Sequence, residues 1–289
     1  MTKTHTTRSI EPDRQDADPD FERLLSYIES EYGFATTYYA TKYLRRRIRS
    51  RLSRNHLERD DYESYLSLLK ADDGEERTAL LDALSVNVTS FYRDPSIWDG
   101  LRDVLETAQE DASGGISIWS VPCSDGREPY SLAMLARDTD GVDANRVSIR
   151  ASDIDEEILS SARSGVYEQR RTADVASELE YLDDHESYVE RTTIEGTDAF
   201  EVSDEIKRAV EFDRFDLIND RITGSYDLIL CRNFFIYLDA NYQQIVLEKL
   251  YDALRPGGYF VLGKAETMPQ DLKEQFEPVY KRSRIYRRS

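Results

Sequence analysis

Apolar positions in the first hundred or so residues recur at helical spacing. In FERLLSYIESEYG, Phe21, Leu24, Leu25 and Ile28 share one face, and Gly33 stops the run. YLRRRIRSRLSR, DYESYLSLLK and RTALLDALSVNV continue the pattern, and helical periodicity extends to about Ala112. Around Ser113-Gly114-Gly115 the period changes. ISIWSV (116–121) predicts a strand, REPYSLAMLARD a helix, RVSIRASD (146–153) a second strand ending in an acid, and DEEILSSARSG a helix closed by Gly165. Between 166 and 207 the pattern predicts one short helix near 173–182 and two alternating pieces, SYVERTTI and DAFEVS, that suit a small antiparallel insert. The strand–helix rhythm then resumes with AVEFDRFDL, the apolar run YDLILCRN (226–233), amphipathic YQQIVLEKLYDAL, a stop and turn at RPGG, and the strand YFVLG. FEPVYKRSRIYRR suits a terminal hairpin. Strands separated by helices predict a mostly parallel, doubly wound α/β sheet. The expected division is a disordered tail (1–19), a helical domain (20–112) and an α/β domain (113–289) with its insert at about 166–207.

Composition changes the picture in three ways. The 289 residues carry a formal net charge of -19, so the surface repels nucleic acid and anionic lipid in general, and neither is an expected partner. An acidic chain whose cations are mostly Arg also resembles a protein adapted to concentrated salt. No run of eighteen apolar residues predicts a membrane span, and the polar start lacks a signal-peptide core, so a cytoplasmic protein is expected. The two cysteines, Cys123 and Cys231, make no disulfide framework; both are expected as free buried thiols, although a bridge between neighbouring strands is conceivable. The three scattered histidines suggest no metal site.

The chemistry concentrates in SVPCSDGREPYS (120–131), a strand-to-helix loop with one glycine and Glu128-Pro129 at the helix start. It lacks the G-x-G-x-x-G that lets backbone approach a pyrophosphate. In doubly wound sheets such a loop lies where ligands bind. Asp153, ending the second strand, can accept two hydrogen bonds from a ribose diol. Glu128 favours a cationic or hydrogen-bond-donating group. Together they suit a phosphate-free nucleoside with a zwitterionic tail, such as S-adenosylmethionine. Both are otherwise ordinary turn acids.

The same loop, WSVPCSDGREPYSLAMLA, resembles the cofactor loop of chemotaxis receptor methyltransferases of the CheR type. NVTSFYRD (87–94), ASDIDEEILSSARSGVY (151–167), YDLILCRNFFIYLD (226–239) and LRPGGYFVLGKAE (254–266) resemble further family segments in the same order. The likeness runs from about Phe21 to the C-terminus. It implies an all-α N-terminal domain, a class I S-adenosylmethionine-dependent methyltransferase sheet, and methyl transfer to glutamate side chains of chemoreceptors, leaving S-adenosylhomocysteine. It implies that Asn87, Thr89, Arg93, Glu128, Asp153, Asp216, Leu217, Arg232 and Asn233 surround the cofactor. Within that set, Arg93 is expected to pair with a carboxylate, of cofactor or of substrate, and Tyr237 to hydrogen-bond the acceptor carboxylate. Tyr237 is otherwise a core-capping residue, and Asn87 and Thr89 are otherwise helix-ending hydrogen-bond formers. Two departures stand out: Arg127 where the family has a first glutamate, and Asp216 where asparagine is usual. A cofactor-binding docking protein without turnover is the alternative, and a methyltransferase of small molecules a further one.

TKYLRRRIRSRLSR (41–54) carries seven cations and no acid. Leu44, Ile48 and Leu52 form one apolar stripe, which turns several arginines outward. Arg45, Arg46 and Arg49 are expected to dock the methylation helices of receptors; a solvated face paired with the chain's own acids is the other reading. A monomer that does not insert into membranes is expected.

Overall fold

The computed structural model describes residues 18–85, 89–111, 114–170 and 173–289. The expected tail, through residue 17, and Asn87 lie outside them. The chain forms two compact units: residues up to Asn87 with Tyr237–Ile245, and Val88–Ile236 with Val246–Ser289.

The first unit holds α1 (Pro19–Tyr32), α2 (Thr41–Arg54), α3 (Tyr62–Ala71) and α4 (Glu75–Leu84). Asp18 caps α1 by accepting from the Asp20 and Phe21 amides, and Gly33, at φ 70°, ends it. Phe21, Leu24, Leu25 and Ile28 meet Tyr43, Leu44, Ile48 and Leu52 of α2 in a core closed by Tyr62, Tyr65, Leu69, Leu80 and Leu84. The returning segment joins this unit through the Ala40 N–H, which donates to the Tyr237 carbonyl at 2.9 Å, and a bridge between Tyr39 and Leu238.

The second unit begins with α5 (Pro95–Asp111). It continues with β1 (Ile116–Ser120), α6 (Arg127–Asp138), β2 (Val147–Asp153), α7 (Glu156–Ser164), β3 (Val166–Glu168) and α8 (Val175–Leu179). Then come β4 (Val189–Ile194), β5 (Thr197–Val202), α9 (Asp204–Arg208), β6 (Val210–Arg214) and β7 (Tyr226–Cys231). The chain closes with α10 (Ala240–Ala253), β8 (Leu254–Leu262), β9 (Phe276–Tyr280) and β10 (Ile285–Arg288). Seven strands form one sheet in the order β6-β2-β1-β7-β8-β10-β9. The first five run parallel, and the terminal hairpin adds two antiparallel strands. The insert is a separate antiparallel sheet, β3-β5-β4.

The expected boundary at 112/113 differs from the division by contacts, which falls at 87/88. Helical period alone grouped α5 with the preceding helices. Its apolar face, Ile97, Trp98, Leu101, Val104 and Leu105, instead shares the core of Ile116, Ile118, Leu132 and Leu135. The expected turn at RPGG is taken up inside β8, where the register against β7 jumps from Tyr226↔Leu254 to Leu228↔Tyr259. No helix among the described residues is long and apolar enough to cross a membrane.

Candidate active site

Strand order reverses between β1, whose crossover leads outward to β2, and β7 on its other side. The carboxyl ends of these parallel strands therefore share one rim, where ligands of such sheets bind. Asp153 ends β2 there and is 7% exposed. Its Oδ2 accepts from the Ser124 N–H at 2.8 Å and its Oδ1 from the Asp155 N–H at 3.2 Å. Burial pushes its carboxyl above the ordinary aspartate range, against those two amides. A carboxylate has about four acceptor sites, so each oxygen retains capacity for a further donor. Ile154, next in the chain, is 51% exposed and apolar.

Glu128, in the first turn of α6, is 8% exposed and serves the protein itself. Its Oε1 accepts from the Ser120 hydroxyl at 2.8 Å, and its Oε2 from Arg232 Nη1 at 2.9 Å. Arg232 Nη2 donates to the Arg93 carbonyl at 2.8 Å and to Asp94 Oδ2 at 3.2 Å. Arg232 thus ties the end of β7 to α6 and to the segment before α5. A charge with only 6% of its surface exposed persists because it has partners. The Arg93 carbonyl also accepts from Trp98 Nε1 at 2.9 Å.

Arg127, the first departure from the family pattern, is structural. It donates to the Thr89 carbonyl at 3.1 Å, approaches Glu178 Oε2 at 3.3 Å and lies 5.2 Å from the Tyr167 ring centre. Glu178 also accepts from the Phe91 N–H at 3.0 Å, so α8 of the insert is pinned to the 89–91 segment. Asp216, the second departure, caps its own turn. Its Oδ1 accepts from the Ile218 and Asn219 amides at 2.9 and 3.0 Å, and its Oδ2 from Asn219 Nδ2 at 2.8 Å. Leu217 beside it is buried. Asn233 sits after β7 at φ 59°.

The structure thus joins Glu128, Arg232 and the backbone of Arg93 in one hydrogen-bonded network, leaves Thr89 bonded through its carbonyl to Arg127, and sets Asp153, Asp216 and Leu217 at the ends of β2 and β6. Tyr237 falls in the first unit, where its ring packs on Tyr43 at 4.9 Å. The docking trio divides. Arg46 is exposed. Arg45 turns inward, 4.2 Å over the Phe21 ring and 16% exposed, and Arg49 makes a bidentate pair with Asp60 at 2.6 and 2.9 Å. Apolar periodicity placed these residues off the core stripe, yet aromatic stacking and the chain's own acid hold two of the three. Cys123 and Cys231 are free and buried.

Sequence reasoning missed Glu266. Its Oε2 accepts from the Gly263 and Asn233 amides at 2.7 and 2.9 Å, and its Oε1 faces the Ile236 amide at 3.4 Å. Burial pushes its carboxyl up in spite of those donors. A Cβ on Gly263 would lie 2.7 Å from the Asn233 nitrogen, so only glycine fits. The available signal was the acid closing LRPGGYFVLGKAE.

The rim suits a phosphate-free adenosyl ligand. Buried Asp153 has acceptor capacity to spare, the neighbouring Ser124 hydroxyl is buried with no partner among the described residues, and Ile154 offers an apolar surface.

Residues 87–285 match the profile of the CheR methyltransferase, SAM binding domain, and residues 19–85 that of the CheR methyltransferase, all-alpha domain. The chain belongs to the CheR methyltransferase family. It is similar to the chemotaxis protein methyltransferases of Listeria monocytogenes (30% identity; 86% of this chain and 91% of that one) and Salmonella typhimurium (31%; 89% and 87%). That of Escherichia coli is 32% identical over 86% of this chain and 85% of its own. The family member described here is a chemotaxis protein methyltransferase, a protein-glutamate O-methyltransferase that methylates chemoreceptors with S-adenosylmethionine as its cofactor.

Proposed function

We propose that the β1–β2–β7 rim holds S-adenosylmethionine for attack by a receptor glutamate, with Asp153 accepting from the ribose hydroxyls. The observation that carries this reading is the Asp153 carboxylate, buried yet with free acceptor capacity at the switch point of the sheet. When bound, the cofactor supplies an electrophilic methyl group on a sulfonium. An acceptor glutamate, with a pKa of about 4.3, is already ionised at neutral pH, so the protein needs to align and desolvate it rather than deprotonate it. Asp216 and Leu217 face the adenine, and Asn87, Thr89 and Asn233 complete the surround. Glu128 holds Arg232, and Arg232 fixes the backbone of Arg93. The Arg93 guanidinium pairs with a carboxylate, of the cofactor or of the substrate, and the Tyr237 hydroxyl hydrogen-bonds the acceptor. The exposed Arg46 of α2 meets acidic methylation helices of the receptor; the protein works in the cytoplasm as a monomer.

Incubation with methyl-labelled cofactor and receptor cytoplasmic fragments, then alkali, should release volatile methanol, the signature of a carboxyl methyl ester. Tyr237→Phe should release at least tenfold less per minute with the S-adenosylhomocysteine Kd unchanged. Label that stays on the protein through alkali would refute glutamate as acceptor; a Tyr237→Phe rate equal to wild type would remove the tyrosine from the reaction.

A further inference from the structure

The turn after β6 has a holder of its own. Lys249, in the second half of α10, points its ammonium at three backbone carbonyls: Leu217 at 3.2 Å, Ile218 at 2.8 Å and Asp220 at 2.8 Å. An ammonium has three N–H donors, and three acceptors meet them. Charge-assisted hydrogen bonds are stronger than neutral ones and fix geometry more firmly. The same turn is gathered from its other side: the Asp216 carboxylate collects the Ile218 and Asn219 amides, and Asp220 Oδ2 accepts from the Asp216 N–H at 2.9 Å. The turn's carbonyls thus go to a cation and its amides to anions. It lies beyond the carboxyl end of β6, on the rim that carries Asp153, whose carbonyl accepts from the Phe215 N–H at 2.9 Å.

We propose that Lys249 is a positioning residue for cofactor binding: by gathering the carbonyls of residues 217, 218 and 220 it sets the turn that presents Asp216 and Leu217 to the adenine. This rests on the assignment of that turn to the adenosyl half of the cofactor. Lys249 touches no ligand; it acts through backbone. Its role also accounts for the Asp216 departure. An extra carboxylate at the rim would repel Asp220 and loosen the turn, and the ammonium beside both acids offsets that repulsion. Burial lowers the lysine's pKa, while Asp216 and Asp220 oppose the shift, in keeping with a cation held for its charge.

The test is Lys249→Met in the full chain, read by calorimetric titration with S-adenosylhomocysteine and with S-inosylhomocysteine, and by methylation kinetics. The expected result is a Kd for S-adenosylhomocysteine raised about tenfold, kcat at saturating cofactor within twofold of wild type, and a preference for the adenosyl over the inosyl ligand narrowed at least threefold. A merely structural lysine would weaken both ligands equally or lower kcat; either result, or an unchanged Kd, overturns the proposal. If Lys249→Met does not fold, Lys249→Gln, which keeps two N–H donors without the charge, is read in the same way. Asp153→Ala run alongside separates the two readings. If Asp153→Ala weakens binding and the lysine variant does not, only the role of Lys249 falls; if Asp153→Ala binds like wild type, the site assignment itself falls.

Discussion

Asp153 is a buried side chain with an architectural role on view and a proposed one toward the cofactor. Its two amide partners hold the loop after β1 against the end of β2, and its remaining lone pairs are the ones we propose for the ribose hydroxyls. Replacing it with alanine should weaken S-adenosylhomocysteine binding by roughly 1–3 kcal/mol, the scale of a hydrogen bond to a charged group. The pH dependence has a definite sign. Burial has raised the carboxyl, so on acidification it protonates earlier than an ordinary aspartate. The protonated form loses acceptor capacity, so the wild-type Kd should rise as pH falls through that raised value, and the Asp153→Asn Kd should stay flat. A wild-type Kd that stays as flat on acidification as that of Asp153→Asn would contradict the role. Arg232 illustrates the other kind of buried charge. Its partners Glu128 and Asp94 were visible as residue types, but their pairing across more than a hundred positions of chain was not.

At the scale of elements, α2 has two faces with different work. Arg51 joins Glu76 of α4 in a bidentate pair that also receives the Tyr65 hydroxyl, and Arg49 joins Asp60. Seven cations without an acid look like a docking surface in sequence, yet most of the charge that faces α3, α4 and the loop after α2 is answered locally. Arg46→Glu should therefore cut receptor methylation several-fold while sparing both melting temperature and cofactor affinity. Arg49→Glu places two carboxylates together and should cost about 1 kcal/mol, seen as a lower melting temperature. Equal melting of the two variants would show that the Arg49–Asp60 pair contributes nothing. Strands β1, β2 and β7 were legible because buried parallel strands read as short apolar runs. The limits of α5 and β8 were not: period reveals that a face is apolar but not which core covers it, and Pro-Gly-Gly reads as a turn unless a neighbouring strand absorbs it as a bulge. The site was half legible for the same reason. Asp153 followed from its place at a strand end and Asp216, Leu217, Arg232 and Asn233 only from the family resemblance, whereas Glu266 and Lys249 act through backbone 30 or so residues away.

For the molecule as a whole, the dominant quantity is the net charge of -19. Self-repulsion on that scale is long-ranged, and salt shortens its reach from about 10 Å at 0.1 M to about 3 Å at 1 M. Buried pairs such as Arg232–Glu128 are screened far less. Raising sodium chloride from 0.1 to 2 M should thus increase the melting temperature by several degrees, as followed by circular dichroism. A fall over that range would mean that exposed ion pairs, not repulsion, govern stability.

The polypeptide crosses between its two units three times, because Tyr237–Ile245 returns to the helical one. Dissection at the first crossing therefore yields no clean halves. A fragment ending near residue 87 would lack the strip that covers Tyr39 and Tyr43, and its complement would carry that strip with nothing to cover. A single proteolytic nick there should leave the pieces migrating together on a sizing column, and co-expressed fragments should reassemble where either one alone precipitates.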